Sequence, residues 1–183
     1  LMSKILVDTI DTRSGTSNIT IGSSNASQIT LKSGATLTNF PANTPAFSVV
    51  KDSDQNISSD SNTLVTWETE LYDTDSAFAS NKFTVPTGEG GKYFLTANVK
   101  IEYGNGSGER GEISVKVNGS TVRQSVMAVS GNAVNPQSVQ ICCELALSAA
   151  DYVEIFFLHE KGATQPIKTG TNTYWMMHKL VGA

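Results

Sequence analysis

From residue 47 onward, apolar and polar positions alternate with the two-residue period of half-buried strands, and no stretch carries a convincing helical period. Ile113, Val115 and Val117 alternate with Ser114 and Lys116, and Asn118-Gly119 then supplies a favoured hairpin turn before Val122. Val139, Ile141, Cys143, Leu145 and Leu147 fall on one face of another strand, with Gln140, Cys142 and Glu144 on the other. Ser148-Ala149-Ala150-Asp151 turns the chain into YVEIFFLH, a run apolar on both faces and so expected to be covered on both sides. TYWMMHKLV is the last predicted strand. Roughly eight to ten short strands without a helical layer imply an all-β sandwich or barrel, and a jelly roll fits the count best.

The first 44 residues follow a different pattern. Ile19-Thr20-Ile21 returns ten residues later as Ile29-Thr30-Leu31, with Gly22-Ser23 after the first copy and Ser33-Gly34 after the second. Half of these positions are Ser, Thr, Asn or Gly, and Phe40 is their only aromatic residue. Asn43-Thr44-Pro45 punctuates the boundary, since proline fixes its own φ and biases its predecessor away from helix. The division expected is therefore 1–44, an N-terminal attachment and β-repeat stalk, and 45–183, a jelly-roll head. Two short repeats cannot bury their own apolar residues, but three copies around an axis bury Ile19, Ile21, Ile29, Leu31 and Leu37 together. That predicts a homotrimer.

Charge narrows the function classes. Thirteen Lys and Arg against seventeen Asp and Glu give a net charge of −4 without a basic run, which argues against a duplex-binding surface. No apolar stretch reaches the roughly 18 residues of a membrane-spanning helix, and no charged-then-apolar leader opens the chain, so no signal peptide is expected. Cys142 and Cys143 are adjacent, point to opposite faces of one strand, and so do not staple the chain by a disulfide.

Reactive constellations are sparse. Asp52, Asp54 and Asn56 begin like a calcium loop, but Ile57 stands at its glycine position and Thr63 at its bidentate glutamate position. Asp73 and Asp75 invite the same comparison. His159 and His178 lack a second ligand at metal spacing, Cys142 sits beside Glu144 rather than a cation, and no G-x-S-x-G elbow occurs. The expectation is a protein that is not an enzyme and has no metal site and no cofactor. The best binding candidates lie on and beside the glycine-rich loop 104–111: Tyr103, Asn105, Glu109 and Arg110 join an aromatic platform to hydrogen-bonding groups between rigid strands.

Several of these residues also resemble a known family. Phe83 to Pro86, followed by Gly91-Lys92-Tyr93-Phe94-Leu95, is similar to the F-x-x-P, G-x-Y-x-F signature of complement-recognition-protein globular heads, part of the tumour-necrosis-factor-like jelly rolls. LALSAADYVEI resembles that family's L-x-L-x-x-G-D-x-V-x-V hairpin, with Ala150 replacing the glycine, and AFSVV its opening strand. The resemblance implies a ten-stranded jelly roll assembled as a homotrimer, with Tyr93, Leu95, Trp175 and Met177 as candidates for the trimer axis. The prefix ILVDTIDTRSG and the repeats after it resemble the base of bacteriophage-type tail or head fibres, which implies a thin triple β-prism or β-helix as the stalk. Together they imply a virion-surface fibre or appendage, joined to other virion proteins through its N-terminus, whose head adheres to a host glycan or receptor; the alternative is a capsid or tail decoration protein.

Overall fold

The computed structural model describes residues 43–102, 109–129 and 137–180, with backbone alone at Glu109 and Val129. The predicted stalk, and with it Ile19, Ile21, Ile29, Leu31 and Leu37, lies outside the described residues, as do Tyr103 and Asn105. The described residues contain strands and turns and no helix. In chain order the first strands are β1 (Ala46–Lys51), β2 (Gln55–Ile57), β3 (Thr63–Leu64), β4 (Thr69–Asp73), β5 (Phe78–Ala79) and β6 (Lys82–Thr84). The longer ones follow: β7 (Gly91–Ile101), β8 (Glu109–Val117), β9 (Ser120–Val129), β10 (Gln137–Leu147) and β11 (Tyr152–His159). β12 (Gln165–Ile167) and β13 (Gly170–Lys179) complete the series.

These strands form two antiparallel sheets. One runs β4-β1-β13-β7-β10, and the other runs β5-β6-β11-β8-β9, with β3 pairing the far half of β11. Thirteen hydrogen-bonded runs stand among the described residues where about ten strands were expected because three sheet positions are each split in two, one of them the edge beside β11, shared by β6 and β3. β12 lies beside β7 where β13 leaves off, and β2 pairs β12 as β1 pairs β13. The chain passes repeatedly from one sheet to the other, from β6 onward at β6–β7, β7–β8, β9–β10, β10–β11 and β11–β12, which is the winding of a jelly roll.

The core is the space between the sheets. Tyr93, Leu95, Ala97, Val99 and Ile101 of β7 face Ile113 and Val115 of β8 and Val153, Ile155 and Phe157 of β11, all fully buried. At its centre Trp175 meets Phe47 edge-on at 4.8 Å and Phe78 at 5.6 Å, and Phe47 stacks on Phe83 at 5.2 Å. Tyr93, Leu95, Trp175 and Met177 therefore belong to the interior of one protomer, and the expectation that they line a trimer axis is corrected. They have the right period but the inward face, where the second sheet already covers them. The Tyr93 hydroxyl donates to the Glu89 carbonyl at 2.5 Å, and burial, with Glu89 and Asp75 nearby, pushes its pKa up to about 12.

Alternation also carries Lys51 inward, beside Phe47 and Val49 on β1. Its ammonium is fully buried and fully satisfied, donating to the Thr66 carbonyl and hydroxyl at 2.9 Å and to Glu68 Oε1 at 3.0 Å. YVEIFFLH is covered on its outer face as expected, by lysines: Lys116 Nζ sits 3.7 Å over the Phe156 ring and Lys82 Nζ 4.8 Å over Tyr152.

The β8–β9 hairpin turns at Asn118-Gly119 as predicted, with φ of 51° and 80°. Ala150, where the resemblance expects glycine, has φ of +70°, a left-handed backbone that crowds a Cβ. Its N–H is nonetheless held by the Val85 carbonyl at 2.9 Å. An Ala150→Gly substitution is expected to raise stability by about 0.5–1 kcal/mol, read as a higher urea midpoint at unchanged slope; a lower midpoint would count against the strain.

Candidate interaction face

On the first sheet, the residues between the inward ones make an outward face that no other layer of the described residues covers. Cross-strand register puts Gln140, Asn98, Tyr174 and Val50 in one row, Cys142, Thr96, Met176 and Ser48 in the next, and Glu144, Phe94 and His178 in the third. Gln140 Nε2 donates to the Tyr174 hydroxyl at 3.0 Å, Thr96 Oγ1 and Cys142 Sγ lie 3.2 Å apart, and the rings of Phe94 and His178 are 5.7 Å apart.

At the β4 side this face becomes apolar. A register shift between Ser48 and Val49 leaves Leu71 as an extra residue of β4, so Leu71 and Tyr72 both reach solvent, 62% and 49% exposed. Beside them Ser48, Val50, Leu71, Thr171, Tyr174 and Met176 line an apolar hollow of about 230 Å³. A second apolar surface lies on the other sheet, where Val122 and Val126 stand exposed on edge strand β9.

Of the predicted ligand residues, Glu109 and Arg110 fall on β8, with the Glu109 side chain outside the described residues. Arg110 is half exposed, but both of its terminal nitrogens are engaged: Nη1 with Glu160 Oε1 at 3.1 Å and Nη2 with Glu112. Glu112 is nearly buried on the outer face of the second sheet and also accepts from Ser114 Oγ at 3.1 Å and from Gln124 Nε2. Ser114 and Gln124 are an opposed pair on β8 and β9, a relation that exists only once register is known.

The acidic loops that begin like calcium sites are occupied by protein donors. Asp54 accepts from Lys168 and from the Thr169 N–H at 2.9 Å, and Asp52 accepts from the Thr69 hydroxyl. Asp73 accepts the Ala77 and Phe78 N–H groups at 3.1 and 2.9 Å. Among the described residues, no three His, Cys, Asp or Glu side chains converge as a metal site would need. His159 is buried, with Nε2 3.1 Å from the Ile57 carbonyl and Nδ1 accepting the Lys161 N–H, so each ring nitrogen has a backbone contact.

Three carboxylates are held below their ordinary range. The Lys168 bond lowers Asp54, and the Asn118 amide and Ser148 N–H lower Asp151. Burial alone would raise Glu68, but Lys51 and the Asp52 N–H outweigh it. A carboxylate with a depressed folded pKa contributes stability that is present above its unfolded value, 3.8 for Asp and 4.5 for Glu, and is lost as pH falls through the folded value. The urea midpoint is therefore expected to be flat near neutrality and to fall steeply in acid below those values. Asp151→Asn is expected to flatten that acid limb; an unchanged limb would exclude Asp151 as a contributor.

No protein-family model and no curated protein matches the sequence. The structure is similar to the globular domain of zebrafish complement 1qA protein, with a TM-score of 0.53 and 17% identity over 74% of this chain and 97% of that one. It is similar to murine APRIL, with a TM-score of 0.55 and 15% identity over 74% of this chain and 98% of that one. Eiger TNF from S. frugiperda aligns with a TM-score of 0.56 and 14% identity over 75% of this chain and 93% of that one. The described residues have the jelly-roll fold shared by complement-1q-type globular heads and tumour-necrosis-factor-type ligands.

Proposed function

We propose that the chain is a virion fibre or appendage protein whose head assembles as a homotrimer and adheres to a host-surface glycan or receptor, without covalent chemistry. The observation that supports the assembly is the outward face of the first sheet, which no other layer of the described residues covers, with its apolar hollow around Met176 and the exposed Leu71 and Tyr72. Val122 and Val126 offer a second apolar surface of different shape on the other sheet. Two unlike patches on one protomer suit a head-to-tail contact, which buries both when the ring closes. Three copies are what the family resemblance implies, and the same number around an axis can bury the apolar residues of the paired repeats at residues 19–31.

Virion attachment rests on the resemblance of the N-terminal repeats to fibre bases. The adhesive role rests on the elevated, repeated presentation of the head, which turns weak contacts into firm ones through effective concentration. The test incubates the labelled intact chain with host cells, a glycan array and the particles that carry it. Cell or glycan binding that also blocks particle attachment supports adhesion. Binding to particles alone rejects it in favour of a decoration protein.

A further inference from the structure

The Asn118-Gly119 turn is placed to react as well as to bend. Both residues are exposed and both have positive φ. An asparagine followed by glycine is unusually open to attack on its carboxamide by the next backbone nitrogen, because glycine puts no Cβ in the path. Here the carboxamide is held at both ends. Nδ2 donates to Asp151 Oδ1 at 2.7 Å, and Oδ1 accepts the Tyr152 N–H at 3.0 Å. Asp151 is fixed in turn, its Oδ2 accepting the Ser148 N–H at 2.8 Å, and the Asn118 N–H donates to the Tyr152 carbonyl at 2.9 Å.

We propose that Asn118 is a self-modification site, a spontaneous deamidation centre held in check by the Asp151–Tyr152 clamp. In the reaction the Gly119 nitrogen attacks Asn118 Cγ, the Cγ–Nδ2 bond breaks, and ammonia leaves with the proton that the Gly119 nitrogen gives up. The five-membered succinimide that remains is opened by one water at either carbonyl, yielding aspartate or isoaspartate. Attack needs Cγ to turn toward the Gly119 nitrogen, so both clamp bonds must break first. The product then faces Asp151 with a carboxylate where a donor stood, and the contact between the β8–β9 and β10–β11 turns changes from attraction to repulsion.

The test holds the intact chain in mildly alkaline buffer and follows mass and peptide maps, which separate Asn118 from the other Asn-Gly pair, Asn105-Gly106. Conversion at Asn118 in the folded protein is expected to be at least about tenfold slower than in the urea-unfolded chain, the scale of losing bonds to a charged acceptor. Asp151→Ala, which removes the acceptor, is expected to regain about tenfold of that rate, with its fold verified by circular dichroism. Equal folded and unfolded rates overturn the proposal, and so does a folded Asp151→Ala protein that converts no faster than the parent. Should Asp151→Ala not fold, Asn118→Asp decides: a melting temperature below the parent's at neutral pH and equal to the parent's in acid supports the clamp, and one equal to the parent's at both overturns it.

Discussion

A Trp175→Ala chain is expected to lose about 3–5 kcal/mol of stability, enough to leave little folded protein at body temperature. Trp175 is fully buried at the centre of the sandwich, edge-on to Phe47 and Phe78 and 6.1 Å from the Trp67 ring. Alanine there opens a cavity under both sheets, and β1 and β13, paired through Val49 and Trp175, lose their common packing partner. Trp175→Phe is expected to cost much less, since it keeps most of the apolar volume. It also removes a buried indole N–H that has no acceptor among the described residues. Thermal or urea unfolding of the two variants checks this; an alanine variant as stable as the phenylalanine one would show that the cluster is not the centre of the core.

Met176→Arg, one residue along the same strand, is expected to leave the fold intact and abolish assembly. Its side chain lines the outward hollow, where a charge is well solvated in a lone protomer. In an assembled ring the same guanidinium is buried without a partner. The expected loss is about 2 kcal/mol or more per contact, roughly thirtyfold in affinity. Circular dichroism then matches the parent while the solution mass falls to that of one chain. An assembled Met176→Arg protein would move the interface off this face. The contrast between the neighbours separates the two faces of β13, one serving the sandwich and the other the proposed assembly.

That distinction also marks the limit of the sequence. Period-two alternation correctly grouped Tyr93 with Leu95 and Trp175 with Met177, and Cys143 opposite Cys142. It did not tell which face of β7 and β13 meets the second sheet, because Phe94, Tyr174 and Met176 make the other face apolar too. The Asn118-Gly119 turn was legible because only a few residue pairs accept positive φ at both positions. Ala150 was legible as a departure from a glycine position, and its φ shows what that departure strains. The bulge that turns out Leu71 beside Tyr72 was hidden, since register shifts depend on the partner strand. The Arg110–Glu112–Gln124 network and the buried Lys51–Glu68 pair were hidden for the same reason: each joins residues whose adjacency is created by folding.

The measurement that most directly tests the assembly behind the proposed function is the solution mass of the intact chain by light scattering on a sizing column. A homotrimer gives three times the 19.5 kDa chain mass, falling to a single chain mass in Met176→Arg. A parent protein that runs as a 19.5 kDa monomer would leave the outward face of the first sheet unpartnered and the opening repeats without a core, and would contradict the trimeric fibre head.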